Sequence, residues 1–270
     1  MPDRPTFEPL FPAHAIERCA VTVVFRENLP EKTFSRAVAG ASSAFSKKGL
    51  KPAESPPAAF SIDMASGKVG PPVGAQPRMF ALPDGSANLL VGPNLITWQN
   101  TRYVTWSPFI GQFRDLAIPA ISEFLENVSL ASVRLEYWDR FNWTGTWDDF
   151  DAKQLIRIDA ANVLRDWSRW RRQWHSHAGW FEQVGSLRRL SNVNVDIGEW
   201  AGVRPSVLIY TMMQDETNIP GYGESDPTSL NQDFVFERLE TIHRDLKALL
   251  GTVITDSMAA RISLNKEATS

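Results

Sequence analysis

The sequence predicts an α+β domain: an antiparallel sheet built from two pseudo-repeated β-α-(β-meander)-α halves, with long helices packed on one face. Three observations predict it. The run Ala15-Ile16-Glu17-Arg18-Cys19-Ala20-Val21-Thr22-Val23-Val24-Phe25 alternates like a half-buried strand and leads into a helix opening at Asn28-Leu29-Pro30-Glu31. Val133-Arg134-Leu135-Glu136-Tyr137-Trp138-Asp139-Arg140-Phe141 is a second such strand, again followed by a helical stretch and hairpins. Each half then ends on a long amphipathic helix. Residues 1–270 are therefore expected to form one domain of two halves, 1–130 and 131–262, with a helical insertion near 158–176 in the second. The seam between the halves is the natural place for a site.

The elements follow in order. Cys19, Val21, Val23 and Phe25 share one strand face. Phe34, Val38, Ala41 and Phe45 recur at helical spacing, and Gly49 stops that helix. Residues 51–77 are rich in proline, alanine and glycine, around a short strand candidate at Phe60–Met64. A meander comes next: 78–82 pairs with 87–91 across Pro83-Asp84-Gly85-Ser86, and Gly92-Pro93-Asn94 turns into 95–99. Ser107-Pro108 has the form of an N-cap with proline at the first helical position. The helix beyond carries Phe109, Phe113, Leu116, Ile121, Phe124 and Val128, with a kink expected at Pro119. After the 133–141 strand, Asp148, Asp149 and Asp151 suit the first turn of a helix, and another helix is expected at about 160–174. Strands at about 179–184, 187–197 and 205–214 precede a loop at 219–227. The last helix places Val235, Leu239, Ile242, Leu246 and Leu249 on one face and stops at Gly251.

Composition narrows the function classes. With 270 residues, 43% hydrophobic and 22% charged, the chain has the make-up of a folded globular protein. A net charge of −3 gives no general drive toward nucleic acid or anionic membrane. The single cysteine cannot form an internal disulfide, and Cys19 within a strand reads as an inert core thiol. Residues 1–14 lack the apolar run of a signal peptide, and no stretch has the apolar length of a membrane span. A cytoplasmic protein is the expectation.

Four segments resemble a family of sporadically distributed bacterial proteins. Phe11-Pro12-Ala13-His14-Ala15-Ile16-Glu17 is similar to its aromatic-proline opening into the first strand. Tyr103-Val104-Thr105-Trp106-Ser107-Pro108-Phe109 is similar to its Y-x-x-W-x-x-F segment. Val133–Phe141 resembles its V-x-R strand, with Asp139 where asparagine is usual, and Leu239–His243 with Ile254-Thr255-Asp256 resembles its closing segment. The resemblance implies an α+β fold and the scattered occurrence shown by mobile or defence-linked genes. It carries no catalytic residue onto this chain.

The most unusual composition lies at Arg165-Asp166-Trp167-Ser168-Arg169-Trp170-Arg171-Arg172-Gln173-Trp174. On a helix, Trp167, Trp170 and Trp174 would share a face. The plainer reading packs those indoles on the sheet with the arginines in water. The functional reading makes Arg165, Trp167, Arg169, Trp170, Arg171, Arg172 and Trp174 an anchor patch for a protein partner, since tryptophan and arginine dominate interface hot spots. A homo-oligomer is a related alternative. A weaker one has the arginines, with Arg188 and Arg189, hold nucleic acid or a nucleotide. His175 and His177 would point the same way on a strand, but no third ligand has metal spacing, so no metal and no cofactor is expected. His243 beside the apolar stripe of the last helix reads as a hydrogen-bonded structural histidine. Alternatively it faces a cleft with Arg134, Glu136 and Arg140, where Asp139 or Asp256 could orient it as a base. The charges of 133–141 read otherwise as cross-strand pairs on a solvated face. No nucleophile-elbow or phosphate-loop motif is present, so no catalytic residue is assigned. The leading expectation is a non-enzymatic protein-binding or regulatory module, serving a bacterial toxin–antitoxin or anti-phage defence system. A nucleic-acid-binding component and an enzyme with a cleft between the halves are the alternatives.

Overall fold

The computed structural model describes residues 4–50, 61–62, 69–70, 76–170, 172–200, 204–220 and 230–264. The first part of the chain runs β1 (Phe7–Pro9), β2 (Ile16–Phe25), α1 (Glu31–Lys47), the two-residue strands β3 (Ser61–Ile62) and β4 (Val69–Gly70), then β5 (Arg78–Ala81), β6 (Ala87–Val91), β7 (Leu95–Asn100) and α2 (Trp106–Leu125). The second part runs β8 (Leu130–Trp143), β9 (Trp174–Val184), β10 (Leu187–Trp200), β11 (Arg204–Glu216), α3 (Gln232–Val253) and the short α4 (Asp256–Arg261). The fold is α+β: a nine-stranded antiparallel sheet ordered β5-β6-β7-β2-β8-β11-β10-β9, with β1 added beside the end of β8. Strands β3 and β4 form a separate ribbon. No described helix is long and apolar enough to cross a membrane.

Period-two alternation assigns the faces. Cys19, Val21 and Val23 of β2 stand opposite Tyr137, Leu135 and Val133 of β8, which stand opposite Thr211, Met213 and Asp215 of β11. This face carries the core and meets the helices: Phe25 stacks on Phe124 of α2 at 4.4 Å, and Phe45 of α1 lies 5.3 Å from Phe80 of β5. Burying such aromatic surface supplies most of the driving force for folding. The opposite face carries a cross-strand polar array. Arg18 lies 3.7 Å over the Trp138 ring, Trp138 touches Tyr210, and Tyr210 donates to Glu136. Arg134 pairs with Glu136 and Arg140 with Glu17.

Among the described residues the expected helical insertion is absent. Residues 158–170 form turns with a single 3-10 turn at Trp167–Arg169, and β9 begins at Trp174. A helix there would set like charges at Arg165, Arg169 and Arg172 along one side. Instead Asp166 takes a left-handed conformation at φ 62° and Leu164 donates its N–H to the Ser176 hydroxyl. The Trp167 and Trp174 rings lie 6.0 Å apart, closer than the ~10 Å that seven helical residues would span. The acidic stretch starts no long helix either: the Asp149 carboxylate accepts from the Trp143 indole and the Thr146 N–H, and Asp151 caps one short turn at Ala152–Gln154. Helix α2 starts two residues earlier than Ser107-Pro108 implied, with Thr105 at its N-cap, and α3 runs through Gly251 to Val253. Most of the Phe60–Met64 strand and of the 219–227 loop lies outside the described residues.

A buried ion network fixes α3 on the sheet. Arg189 of β10 grips both carboxylate oxygens of Asp215 of β11, at 2.6 and 2.9 Å. From α3, Arg238 also reaches Asp215, and Asp245 accepts from Arg189 at 2.6 Å. Asp215 and Arg189 are almost wholly buried. Removing one partner strands the other's charge, so Asp215→Ala is expected to cost about 3–5 kcal/mol in denaturant unfolding. The exposed Lys48–Asp115 pair gives the contrast: Asp115→Ala should cost no more than about 1 kcal/mol.

Candidate functional site

A cavity of about 330 Å³ opens on the helix-bearing face of the sheet. Six chain segments line it, one of them contributing only Thr211 of β11. The arm before β2 supplies Ala13 to Ile16, the approach to α2 supplies Tyr103 to Trp106, β8 supplies Tyr137 and Asp139, and α3 supplies His243, Leu246, Lys247 and Leu250. Ile262 to Leu264, just after α4, close one side. Arg261 anchors that end by donating to the Phe7 carbonyl of β1.

The polar groups meet in a defined order. The Tyr137 hydroxyl lies 2.8 Å from Nδ1 of His243. Burial pushes the Tyr137 hydroxyl well above its ordinary pKa, so it remains a phenol and donates to the ring. Burial, reinforced by Lys247, lowers His243 to about 4, which leaves a neutral imidazole with its proton on Nε2. Trp106 stacks on that imidazole at 4.2 Å and 6°, and its indole N–H donates to Glu240 one turn earlier on α3. Tyr103 stands edge-on to Tyr137 and to His14. His14 is lowered by burial against a backbone bond to Tyr103, and its Nδ1 has no hydrogen-bond partner among the described residues.

Asp139 is the outlier. It is 2% exposed and lines the cavity, and its carboxyl group forms no hydrogen bond or ion pair with any described residue. Its strand neighbour Ile209 offers only an apolar side chain. Desolvation raises its pKa to about 7. An acid of that strength exchanges a proton near neutrality or accepts a counter-ion.

The residues singled out in the sequence fall in several places. His243 lies in the cavity, and Asp139 lines it too. Arg134, Glu136 and Arg140 do not join them. They have the other parity on β8 and project from the opposite sheet face, where Arg134 pairs with Glu136 along the strand and Arg140 pairs with Glu17 of β2. Asp256 is also elsewhere, paired with Arg157 at 2.9 Å. Of the anchor patch, Trp167 is buried, Trp174 is half-buried and Trp170 is 44% exposed. Arg165, Arg169 and Arg172 are exposed, and Arg171 lies outside the described residues. The segment thus leaves one indole open rather than a three-indole face. Arg188 and Arg189 are committed to Glu216 and Asp215. His175 and His177 do share a face of β9, but they bond to Asp196 and Asn194, and among the described residues no group of three His, Cys, Asp or Glu could hold a metal. Burial raises the Cys19 thiol well above its ordinary value. No protein-family model and no curated protein matches the chain.

Tyr103, Trp106, Tyr137 and His14 had no sequence-assigned role, and Asp139 had only a supporting one. A usable signal was present: Asp139 breaks the apolar parity of Val133, Leu135, Tyr137 and Phe141, where only a special environment tolerates a carboxyl.

The two shifted groups oppose each other in stability. Between about pH 4 and 7 the unfolded chain has released the Asp139 proton and the folded chain retains it, so this contribution falls as pH rises. Between about pH 4 and 6.5 the unfolded His243 is protonated and the folded ring is not, so its contribution rises with pH. Asp139→Asn removes the first effect alone. The variant should exceed the native chain in stability at pH 8 by up to about 4 kcal/mol, with the difference closing toward pH 4. A pH-independent difference in paired denaturant titrations would show that Asp139 does not titrate near neutrality.

Proposed function

We propose that the chain is a cytoplasmic, non-enzymatic regulatory module that takes a small molecule into the cavity between α2, α3 and β8. The observation that carries this reading is the convergence, on one cavity with an apolar lining, of a few polar groups from segments far apart in sequence. The same segments carry the likeness to the scattered bacterial family, and we read the chain as a relative of it. We also read the fold as two related halves. The strand order runs outward in the same sense from β2 through β7, β6 and β5, and from β8 through β11, β10 and β9. A long helix follows each meander, and the cavity draws on both halves. A regulatory rather than catalytic role is supported by the commitment of His243 Nδ1 to Tyr137 and by the strongly disfavoured thiolate of Cys19.

A thermal-shift screen of fragments tests the pocket. Ligands at about 100 times their dissociation constant should stabilise the native chain by about 2.7 kcal/mol, or several degrees in Tm. Ala15 is buried and lines the cavity. Ala15→Leu should keep its Tm within a few degrees, because the added atoms enter empty space, and should lose the hits. A screen without hits, or hits unchanged by Ala15→Leu, would overturn the reading.

A second reading, docking of a protein partner such as a toxin or defence effector, is favoured by one observation. Trp170 is exposed beside β9, which is an edge strand of the sheet. Trp170→Ala should weaken capture of such a partner at least tenfold with Tm unchanged, and undiminished capture would remove this patch from consideration.

A further inference from the structure

We propose that the cavity is a site for a small organic monocation, a primary ammonium on a hydrocarbon or aryl body, with Asp139 as its counter-ion and Tyr103, Trp106 and Tyr137 as aromatic walls. The proposal rests on the ligand-binding reading above and names the class of ligand. Asp139 is a buried carboxyl without a side-chain partner among the described residues, and it lines a cavity large enough for a ligand. Unpaired buried carboxylates are costly, and a ligand cation supplies the missing charge and hydrogen bonds together. Rings with electron-rich faces line the same cavity, as in sites that recognise organic ammonium groups. A bare metal ion fits poorly, since it requires several oxygen or nitrogen ligands and no group of three candidate ligands exists among the described residues.

The titratable groups around Asp139 agree with a single positive charge. Cys19 of β2, Tyr137 beside it on β8, and Tyr103 before α2 are held neutral by burial. His14 of the arm is lowered, and His243 of α3 is neutral. Glu136, Arg140 and Glu17 lie across the sheet. Lys247 of α3 lines the cavity and repels a second cation, so a monoamine is preferred to a polyamine. The raised pKa of free Asp139 means that an ammonium must displace its proton below neutrality.

Isothermal titration of the full chain with three probes of similar size tests this: 2-phenylethylammonium, 2-phenylethanol and 3-phenylpropionate, at pH 8 and pH 5.5. The amine should bind best at pH 8 and weaken ~30-fold at pH 5.5, close to tenfold per unit below the Asp139 titration. Asp139→Asn should weaken the amine at least 100-fold and leave the alcohol unchanged. Lys247→Ala should tighten the amine a few-fold. Stronger binding of the alcohol or the propionate at pH 8, amine binding that tightens at pH 5.5, or full amine affinity in Asp139→Asn would overturn the cation assignment and leave the pocket reading standing. Absence of binding by all three probes would overturn both.

Discussion

Between Val133 and Phe141, each residue of β8 belongs to one of two environments, and parity decides which. The strand lies between β2 and β11, and α3 packs against both β8 and β11. Val133, Leu135, Tyr137, Asp139 and Phe141 face the helices, whereas Arg134, Glu136, Trp138 and Arg140 face away from them. A slip of one residue would exchange the two sets and place three charged side chains in the core. The register therefore sets both the stability of the sheet and the chemistry of the cavity. The outward charges find partners across strands. The inward carboxyl of Asp139 finds none among the described residues.

The cavity exists because α3 is held at a fixed position over β8 and β11. Apolar burial of Leu239, Ile242 and Leu246 brings the helix to the sheet without fixing its rotation or slide. The Arg189–Asp215–Arg238–Asp245 network adds direction, since the planar guanidinium of Arg189 bridges a strand carboxylate and a helix carboxylate. His243 lies between Arg238 and Asp245 on that helix, so the same contacts that dock α3 aim the imidazole at Tyr137. The fold thereby maintains two titratable groups at unusual pKa values, one acid raised and one base lowered, by the same cause of desolvation. Their opposed effects on stability let the site retain a partnerless carboxyl without a steep pH dependence below neutrality.

Strands and helices with regular periods were legible in the sequence. The alternation of β2 and β8, the hairpin turns of the meander and the apolar stripes of α1, α2 and α3 depend on local chemistry that a window of residues contains. The Trp–Arg segment was misread because its tryptophans fit a helical period. What holds them is tertiary: Trp167 is buried, and Ser176 of β9 supplies a hydrogen bond to the chain at Leu164. Arg134, Glu136 and Arg140 were set opposite His243 as residues of strand 133–141 without regard to parity, which places them on the other face of the sheet. The site itself joins His14, Tyr103, Asp139 and His243, and no local pattern encodes that meeting. Asp139 on the apolar parity was the one local sign of it.

The carboxyl of Asp139 is buried without a side-chain partner among the described residues, an environment that favours an added positive charge. A carbon-13 NMR titration of its side-chain carboxyl, with and without 2-phenylethylammonium, measures this directly. The free protein should titrate near pH 7, and saturation with the amine should move the transition down toward or below the ordinary carboxylate range. A transition near pH 4 in the free protein, unmoved by the amine, would mean that the carboxyl is already satisfied and would contradict the account.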